Sequence, residues 1–256
     1  MCTSFVYRGN DTLIAMNYDF YGNNLQLAPY SRKRFLVTAY LNGRDRPLFG
    51  IRSDGVFVNQ QLVPACKEGG FRKGDRVVST MDFVEQVLSD RLPMPMARME
   101  EYLDTYEMVS PPESMLHMSD LPRFHLHVLL ADVDGRSYII EPGRGNLSFE
   151  RTVKSIVMSN CSLYEASRIG RYEGFGADRQ RKAEELLEAA GEHFRVEDAF
   201  AVLEAVQMNQ YQGFCSTEFS LVYSAKESAV YYCYNREFDR VNRYQLEKSK
   251  REEHLR

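Results

Sequence analysis

The sequence predicts an α+β protein built in layers, with sheets that are mainly antiparallel. Apolar runs of strand character come in a block, then helical patterns, then strands again, without the strict alternation of βαβ units. Tight-turn signals join consecutive strands, as at Asn42 and Gly43, and strands joined that way are antiparallel. No internal repeat or low-complexity linker divides the 256 residues. They therefore read as one domain, 1–256, with the charged stretch 248–256 expected to fray. Helices and sheets must cover one another, and a four-layer sandwich is one arrangement that does so.

The elements follow in order. Phe5, Val6 and Tyr7 lead into a turn at Arg8 to Asp11, and Leu13 to Met16 runs apolar again. Arg34 to Leu41 and Val56 to Val63 are further strand candidates. Ser79 or Thr80 can cap a helix whose apolar stripe is Phe83, Val84, Val87 and Leu88. Pro93 and Pro95 separate it from a second helix, Met96 to Tyr106. Strands resume at Phe124 to Ala131, turn at Asp132 to Gly135, return along Ser137 to Glu141, and recur at Val153 to Met158. Ala177 to Ala190 is rich in helix formers, and Val196 to Met208 carries Phe200, Leu203 and Val206 at helical spacing. The chain ends in a hairpin from Phe219 to Tyr234.

Composition narrows the function classes. Hydrophobic residues at 44% and charged residues at 27% are ordinary for a globular protein, so a core needs no staples. A formal net charge of −4 gives no reason to expect nucleic acid as a partner, and no apolar run is long enough to expect a membrane span. The five cysteines are scattered, odd in number and free of C-x-x-C spacing, which argues against a disulfide framework or a zinc ribbon. With no apolar leader at the N-terminus, a reducing cytoplasm is the expected compartment.

Four residues stand out as chemistry. Cys2 follows the initiator Met1, and a small side chain there favours Met1 removal. The mature chain would then begin with a residue holding both a thiol and an α-amine whose reference pKa is about 7.7–8.0. Such an amine can take the thiol's proton directly or through water. Asp19 ends the strand that a hairpin returns toward Cys2, where a carboxylate can orient the amine. Asn59 sits inside an apolar strand and Asn160 directly after another. Neutral amide donors at such places suit an oxyanion hole.

Taken together, these segments carry a resemblance. Cys2 to Phe5, Asn17 to Phe20, Gly55 to Asn59 and Ser159 to Ser162 occur in the order seen in the linear-amide C–N hydrolases. That group includes choloylglycine hydrolases, penicillin V acylases and the related acyl-CoA:aminopenicillanic acid acyltransferases. Thr217 to Tyr223, followed by Val230 to Tyr232, is similar to the family's late hairpin. The resemblance spans Cys2 to about Asp239; each motif is short, so its specificity lies in their order. It implies the αββα sandwich of N-terminal-nucleophile hydrolases, with Cys2 as nucleophile and its amine as base. It further implies that Asp19 anchors the amine and that Asn59 and Asn160 serve the oxyanion hole and nucleophile network. The expected partner is a small N-acyl amide with an apolar acyl group, hydrolysed through a thioester without a cofactor. An acyltransferase using the same acyl-enzyme and a non-catalytic binder are the alternatives, and homo-oligomerisation is left open.

Two departures qualify the substrate. Bile-salt hydrolases carry an arginine at the position of Met16 and another near Glu218, so this chain gives no support for bile-salt or penicillin specificity. Phe20, Tyr21 and Phe57, near the proposed site in sequence, are candidates with Met16 and Glu218 to line a substrate pocket. His125 and His127 share a strand face without a third metal ligand in view, so no metal is expected. Arg179, Gln180, Arg181 and Lys182 read as a solvated helix face.

Overall fold

The apolar runs at the N-terminus pair as the first hairpin of the structure, a computed structural model that describes residues 2–20, 25–41, 43–66, 76–89, 96–111, 124–133, 136–209 and 215–248. Strands β1 (Cys2–Arg8), β2 (Thr12–Phe20), β3 (Gln26–Leu27), β4 (Arg34–Leu41), β5 (Arg44–Arg52), β6 (Phe57–Pro64) and β7 (Arg76–Ser79) precede helices α1 (Thr80–Val87) and α2 (Met99–Thr105). Then come β8 (Tyr106–Val109), β9 (Phe124–Ala131), β10 (Ser137–Glu141), β11 (Gly145–Phe149) and β12 (Ser155–Met158). Three helices follow, α3 (Leu163–Ile169), α4 (Ala177–Glu188) and α5 (Val196–Ala205), before β13 (Ser216–Ser224), β14 (Ala229–Tyr234) and β15 (Asn242–Gln245). Met1, Tyr21, Asn42, Pro93, Pro95, Asp134, Gly135 and all of the expected tail but Lys248 lie outside the described residues.

Among the described residues two antiparallel sheets dominate, ordered β12-β1-β2-β13-β14-β15 and β11-β10-β9-β6-β5-β4-β3, beside a small parallel pair, β7 with β8. Cys2, Val6, Ile14, Met16 and Tyr18 of the first sheet pack against Phe35, Phe49, Phe57 and Leu129 of the second. The opposite face of the first sheet, with Phe5, Tyr7, Leu13 and Ala15, is covered by Ala183 and Leu187 of α4 and by Ala199, Phe200 and Leu203 of α5. Val58, Val128, Leu130 and Ile140, on the outer face of the second sheet, are covered by Phe83, Val84 and Val87 of α1 and by Met99 and Leu103 of α2. Helix, sheet, sheet, helix is the predicted four-layer sandwich.

Both sheets are therefore buried on both faces, which explains why β1, β2 and β6 are buried almost end to end. Polar residues inside those strands cannot face water, so Asn17, Asp19, Asn59 and Gln61 need partners within the protein. Capping explains where the helices start. Ser79 Oγ accepts from Asp82 N at 3.1 Å to open α1, and Ser162 Oγ accepts from Glu165 N at 3.0 Å to open α3. Gly170, with φ +74°, ends α3 in the left-handed conformation that favours glycine. Sequence patterning did not anticipate α3, β5 or the β7–β8 pair, and Tyr106 lies in β8 rather than ending a helix.

The layer argument makes a direct prediction. Leu203 is fully buried between α5 and the first sheet, whereas its neighbour Glu204 is exposed. Leu203→Ala should cost about 2–5 kcal/mol in urea unfolding, and Glu204→Ala should change stability by less than about 0.5 kcal/mol.

Candidate active site

Strand register converges the predicted residues on one end of the first sheet. Ser4 pairs with Met158, so two residues further along, Asn160 arrives opposite Cys2. The Cys2 backbone nitrogen donates to Asn160 Oδ1 at 2.8 Å. On the other side of β1, Cys2 pairs with Tyr18, which brings Asp19 to the same end, and Asp19 in turn pairs with Thr217. Thr217 Oγ1 donates to Asp19 Oδ1 at 2.6 Å. Cys2, Asp19 and Asn160 are all buried. Cys2 belongs to the core between the sheets, while the neighbouring Thr3 and the Asp19 carboxylate meet α4 on the opposite face.

Arg179 corrects the sequence reading of this helix. It is not on a solvated face but buried at the centre of the site. Its Nη1 donates to Cys2 O at 3.1 Å, Thr3 Oγ1 at 2.8 Å and Asp19 Oδ2 at 3.3 Å, and its Nη2 donates to Asn160 Oδ1 at 2.7 Å. The guanidinium also lies over the Phe175 ring, 5.6 Å from its centroid. The reason is helical periodicity. Arg179, Ala183 and Leu187 follow one another at four-residue spacing, so Arg179 continues the buried stripe, while Arg181 and Lys182 are exposed. Gln180, on the same side, accepts from Ser159 N at 3.0 Å and donates to Val157 O at 3.0 Å, tying α4 to the end of β12. Arg179 thus places a buried positive charge beside Cys2 and Asp19.

Asn59 approaches from the second sheet. Its Nδ2 donates to Ser4 Oγ at 2.7 Å and to Met16 Sδ at 3.2 Å, and its Oδ1 is buried without a hydrogen-bond partner. Gln61 follows on the same strand face. With its amide turned to satisfy both ends, it donates to Cys2 O at 3.1 Å and Met158 O at 3.3 Å, and accepts from Asn59 Nδ2 at 3.1 Å. Asn160 is tied to β6 as well, because its Nδ2 donates to Leu62 O at 2.6 Å. The loop that carries it is pinned by buried Glu141, which accepts from Leu163 N at 2.7 Å and from Ser162 Oγ. Burial works against the Glu141 carboxylate, but His127, Ser162 and the Leu163 N–H hold its carboxyl below the ordinary range.

The local electrostatics follow from burial first. Burial pushes the Cys2 thiol above its ordinary value, so at neutral pH it is a protonated thiol that needs a base. Burial likewise raises the Asp19 carboxyl, against the pull of Arg179 and Thr217. A second thiol, Cys215, just ahead of β13, is pushed up to about 11 by burial.

The remaining predicted residues separate. Met16 joins the site through Asn59. Phe20 is half-buried at the end of β2, packed against the core between the sheets, and Phe57 is fully buried in that core. Glu218 is the extra residue where β13 slips register against β2, and its carbonyl accepts from Asn235 N at 2.9 Å. Tyr21 lies outside the described residues. No group of three or more His, Cys, Asp or Glu with metal-site geometry occurs among the described residues. A wide groove of about 1270 Å³, lined in part by Asn10, Asp11, His193, Arg195 and Lys226, lies at the far end of the β1–β2 hairpin and includes none of these site residues.

The chain matches no protein-family profile and no curated protein. Solved structures share its fold. A variant of conjugated bile acid hydrolase from Clostridium perfringens superposes with a TM-score of 0.70 at 14% identity, covering 96% of this chain and 92% of that one. Penicillin V acylase from Agrobacterium tumefaciens gives a TM-score of 0.58 at 16% identity, with 91% and 83% covered. The Caenorhabditis elegans ortholog of N-acylethanolamine-hydrolyzing acid amidase gives 0.52 at 14% identity, with 87% and 92% covered. The fold is that of the N-terminal-nucleophile hydrolases.

Gly176 caps α4 at φ +83°, and a Cβ there would meet Asn160 N at 2.8 Å. Only glycine lets the helix start this close to the Asn160 loop. Gly176→Ala should therefore cost at least about 1–3 kcal/mol in thermal or urea unfolding, whereas Gly170→Ala, which meets no neighbour within 4 Å, should cost less.

Proposed function

We propose that this protein is an amidohydrolase that cleaves the linear C–N amide bond of an N-acylated small molecule through a thioester on Cys2. The observation that carries the reading is the Cys2 nitrogen, held 2.8 Å from Asn160 Oδ1 at a buried strand end beside Asp19 and Arg179. Once Met1 is removed, that nitrogen is the α-amine, already oriented by an acceptor that cannot titrate. A buried, protonated thiol beside an α-amine whose reference pKa is about 7.7–8.0 is a nucleophile with its own base.

The steps balance as follows. The amine takes the thiol proton as Sγ attacks the amide carbonyl carbon, and the carbonyl oxygen becomes an oxyanion. The ammonium then gives that proton to the departing nitrogen as the C–N bond breaks, leaving a thioester on Cys2 and a free amine product. Water, deprotonated by the same α-amine, attacks the thioester and releases the carboxylic acid with the thiol restored.

Asn59 is the carboxamide in reach of developing charge. Its Nδ2 is held by Ser4 Oγ, Met16 Sδ and the Gln61 amide oxygen, and an incoming oxyanion would replace the weak bond to the Met16 thioether. Asn160 accepts from the Cys2 nitrogen through its Oδ1, which suits it to orienting the amine. Asp19 reaches the site through Arg179 and Thr217. The neighbours named for bile acid, penicillin and N-acylethanolamine chemistry all act on amides, which supports the reaction class. The apolar Met16, Tyr18 and Phe219 in the same core as Cys2 suit an apolar acyl group.

Intact mass of the purified protein should be lower than the full translation by one methionine, and incubation with N-acyl amino acids, N-acyl amines, lactones and penicillins should add an acyl mass to Cys2. Cys2→Ala should abolish turnover and leave the melting temperature nearly unchanged; normal activity in that variant would end the assignment. Asn59→Ala should lower kcat about a hundredfold or more, and a loss below about twofold would remove Asn59 from oxyanion stabilisation.

A further inference from the structure

We propose that Arg179 is the positioning residue of the nucleophile, a fixed positive charge delivered by α4 that locks Cys2, Asp19 and Asn160 into one arrangement and makes Cys2 reactive near neutral pH. This rests on the amidohydrolase reading above, and it adds a residue from an element that the sequence motifs do not include. One planar guanidinium reaches the carbonyl of Cys2, the hydroxyl of Thr3, the carboxylate of Asp19 and the carboxamide oxygen of Asn160. Asn160 Oδ1 is shared, since it accepts from Arg179 Nη2 and from the Cys2 nitrogen. The cation is therefore one hydrogen-bond acceptor away from the future amine, and bonded to the carbonyl of the nucleophilic residue itself.

The charges around Cys2 can be assigned element by element. β2 supplies Asp19, α4 supplies Arg179, and the segment ahead of β13 supplies the protonated thiol of Cys215. The groups from β6 and the loop after β12 are the neutral amides of Asn59, Gln61 and Asn160. Asp19 by itself would favour the protonated thiol and a charged ammonium, both unreactive. A guanidinium in contact with Asp19 offsets that field, favouring thiolate and free amine. The burial of Arg179 beside Gly176 and under Phe175 keeps this charge from being screened by water. A purely mechanical clamp would need donors but no charge, and this difference can be measured.

The test uses iodoacetamide, which needs no knowledge of the substrate, with Cys2 alkylation followed by peptide mass mapping across pH. Wild type is measured first, with Met1 removal checked by intact mass. In Arg179→Gln and Arg179→Met, the midpoint of Cys2 alkylation should move to higher pH by about one unit or more. Arg179→Lys, which keeps the charge but not the fork, should stay near the wild-type midpoint, as should Arg181→Met on the exposed side of the same helix. Gln retains a donor without charge, so it remains informative if Met prevents folding. Wild-type midpoints in the Gln or Met variants, or a Lys midpoint displaced as far as that of Gln, would overturn the inference. A wild type that keeps Met1, or whose Cys2 does not alkylate, would remove the amidohydrolase reading and this inference together; an unmoved midpoint in correctly processed variants would remove this inference alone.

Discussion

Antiparallel pairing of β1 with β12 on one side and β2 on the other is the constraint on which the site depends. The pairing Ser4 with Met158 puts Asn160 opposite Cys2, and the pairing Cys2 with Tyr18 brings Asp19 to the same strand end. A slip of one residue would exchange the two faces of β1, sending the Cys2 thiol toward α4 and Thr3 into the core between the sheets. Such a slip is strongly opposed, because Phe5 and Tyr7 fill one apolar layer while Val6 fills another. The same burial that makes these strands hard to read for exposure is what pins their register.

The second constraint is electrostatic. Asp19 and Arg179 are withdrawn from water, and desolvating two charges is costly unless geometry and further hydrogen bonds offset it. Here Thr217, Thr3, Asn160 and the Cys2 carbonyl supply those bonds. Removing either partner of such a pair generally costs about 3–5 kcal/mol, since the other is left buried and uncompensated. The site is thus coupled to the stability of the fold through its charges, while Cys2 itself contributes only a small side chain to a large core.

The shared fold and the local chemistry are separate matters. Overlap with the bile acid hydrolase covers nearly the whole of both chains at 14% identity, so the layer architecture persists where most side chains have changed. Sandwich geometry alone performs no reaction. The chemistry of this chain lies in how it populates the strand ends: a thioether at Met16 facing Asn59, and a guanidinium that arrives from a helix. A cation at one point in space can be supplied from several points in sequence, provided its stem lies along a buried stripe.

Much of this was legible beforehand. The meeting of Cys2 with Asp19 could be foreseen because the hairpin at Arg8 to Asp11 returns β2 to the start of β1, and the burial of Asn59 because an amide inside an apolar strand needs an internal partner. The layers followed from block order and from tight turns. Helix α3 was hidden because its seven residues carry too short a stripe to show a period. Arg179 was hidden for a different reason. Four consecutive polar residues look solvated, although the four-residue spacing to Ala183 and Leu187 was present in the chain all along. Local pattern determined which strands exist and which polar residues they must bury. The partners of those residues were decided only by tertiary structure, because hydrogen bonds between positions 158 to 198 residues apart depend on how sheets and helices stack rather than on any periodicity along the chain.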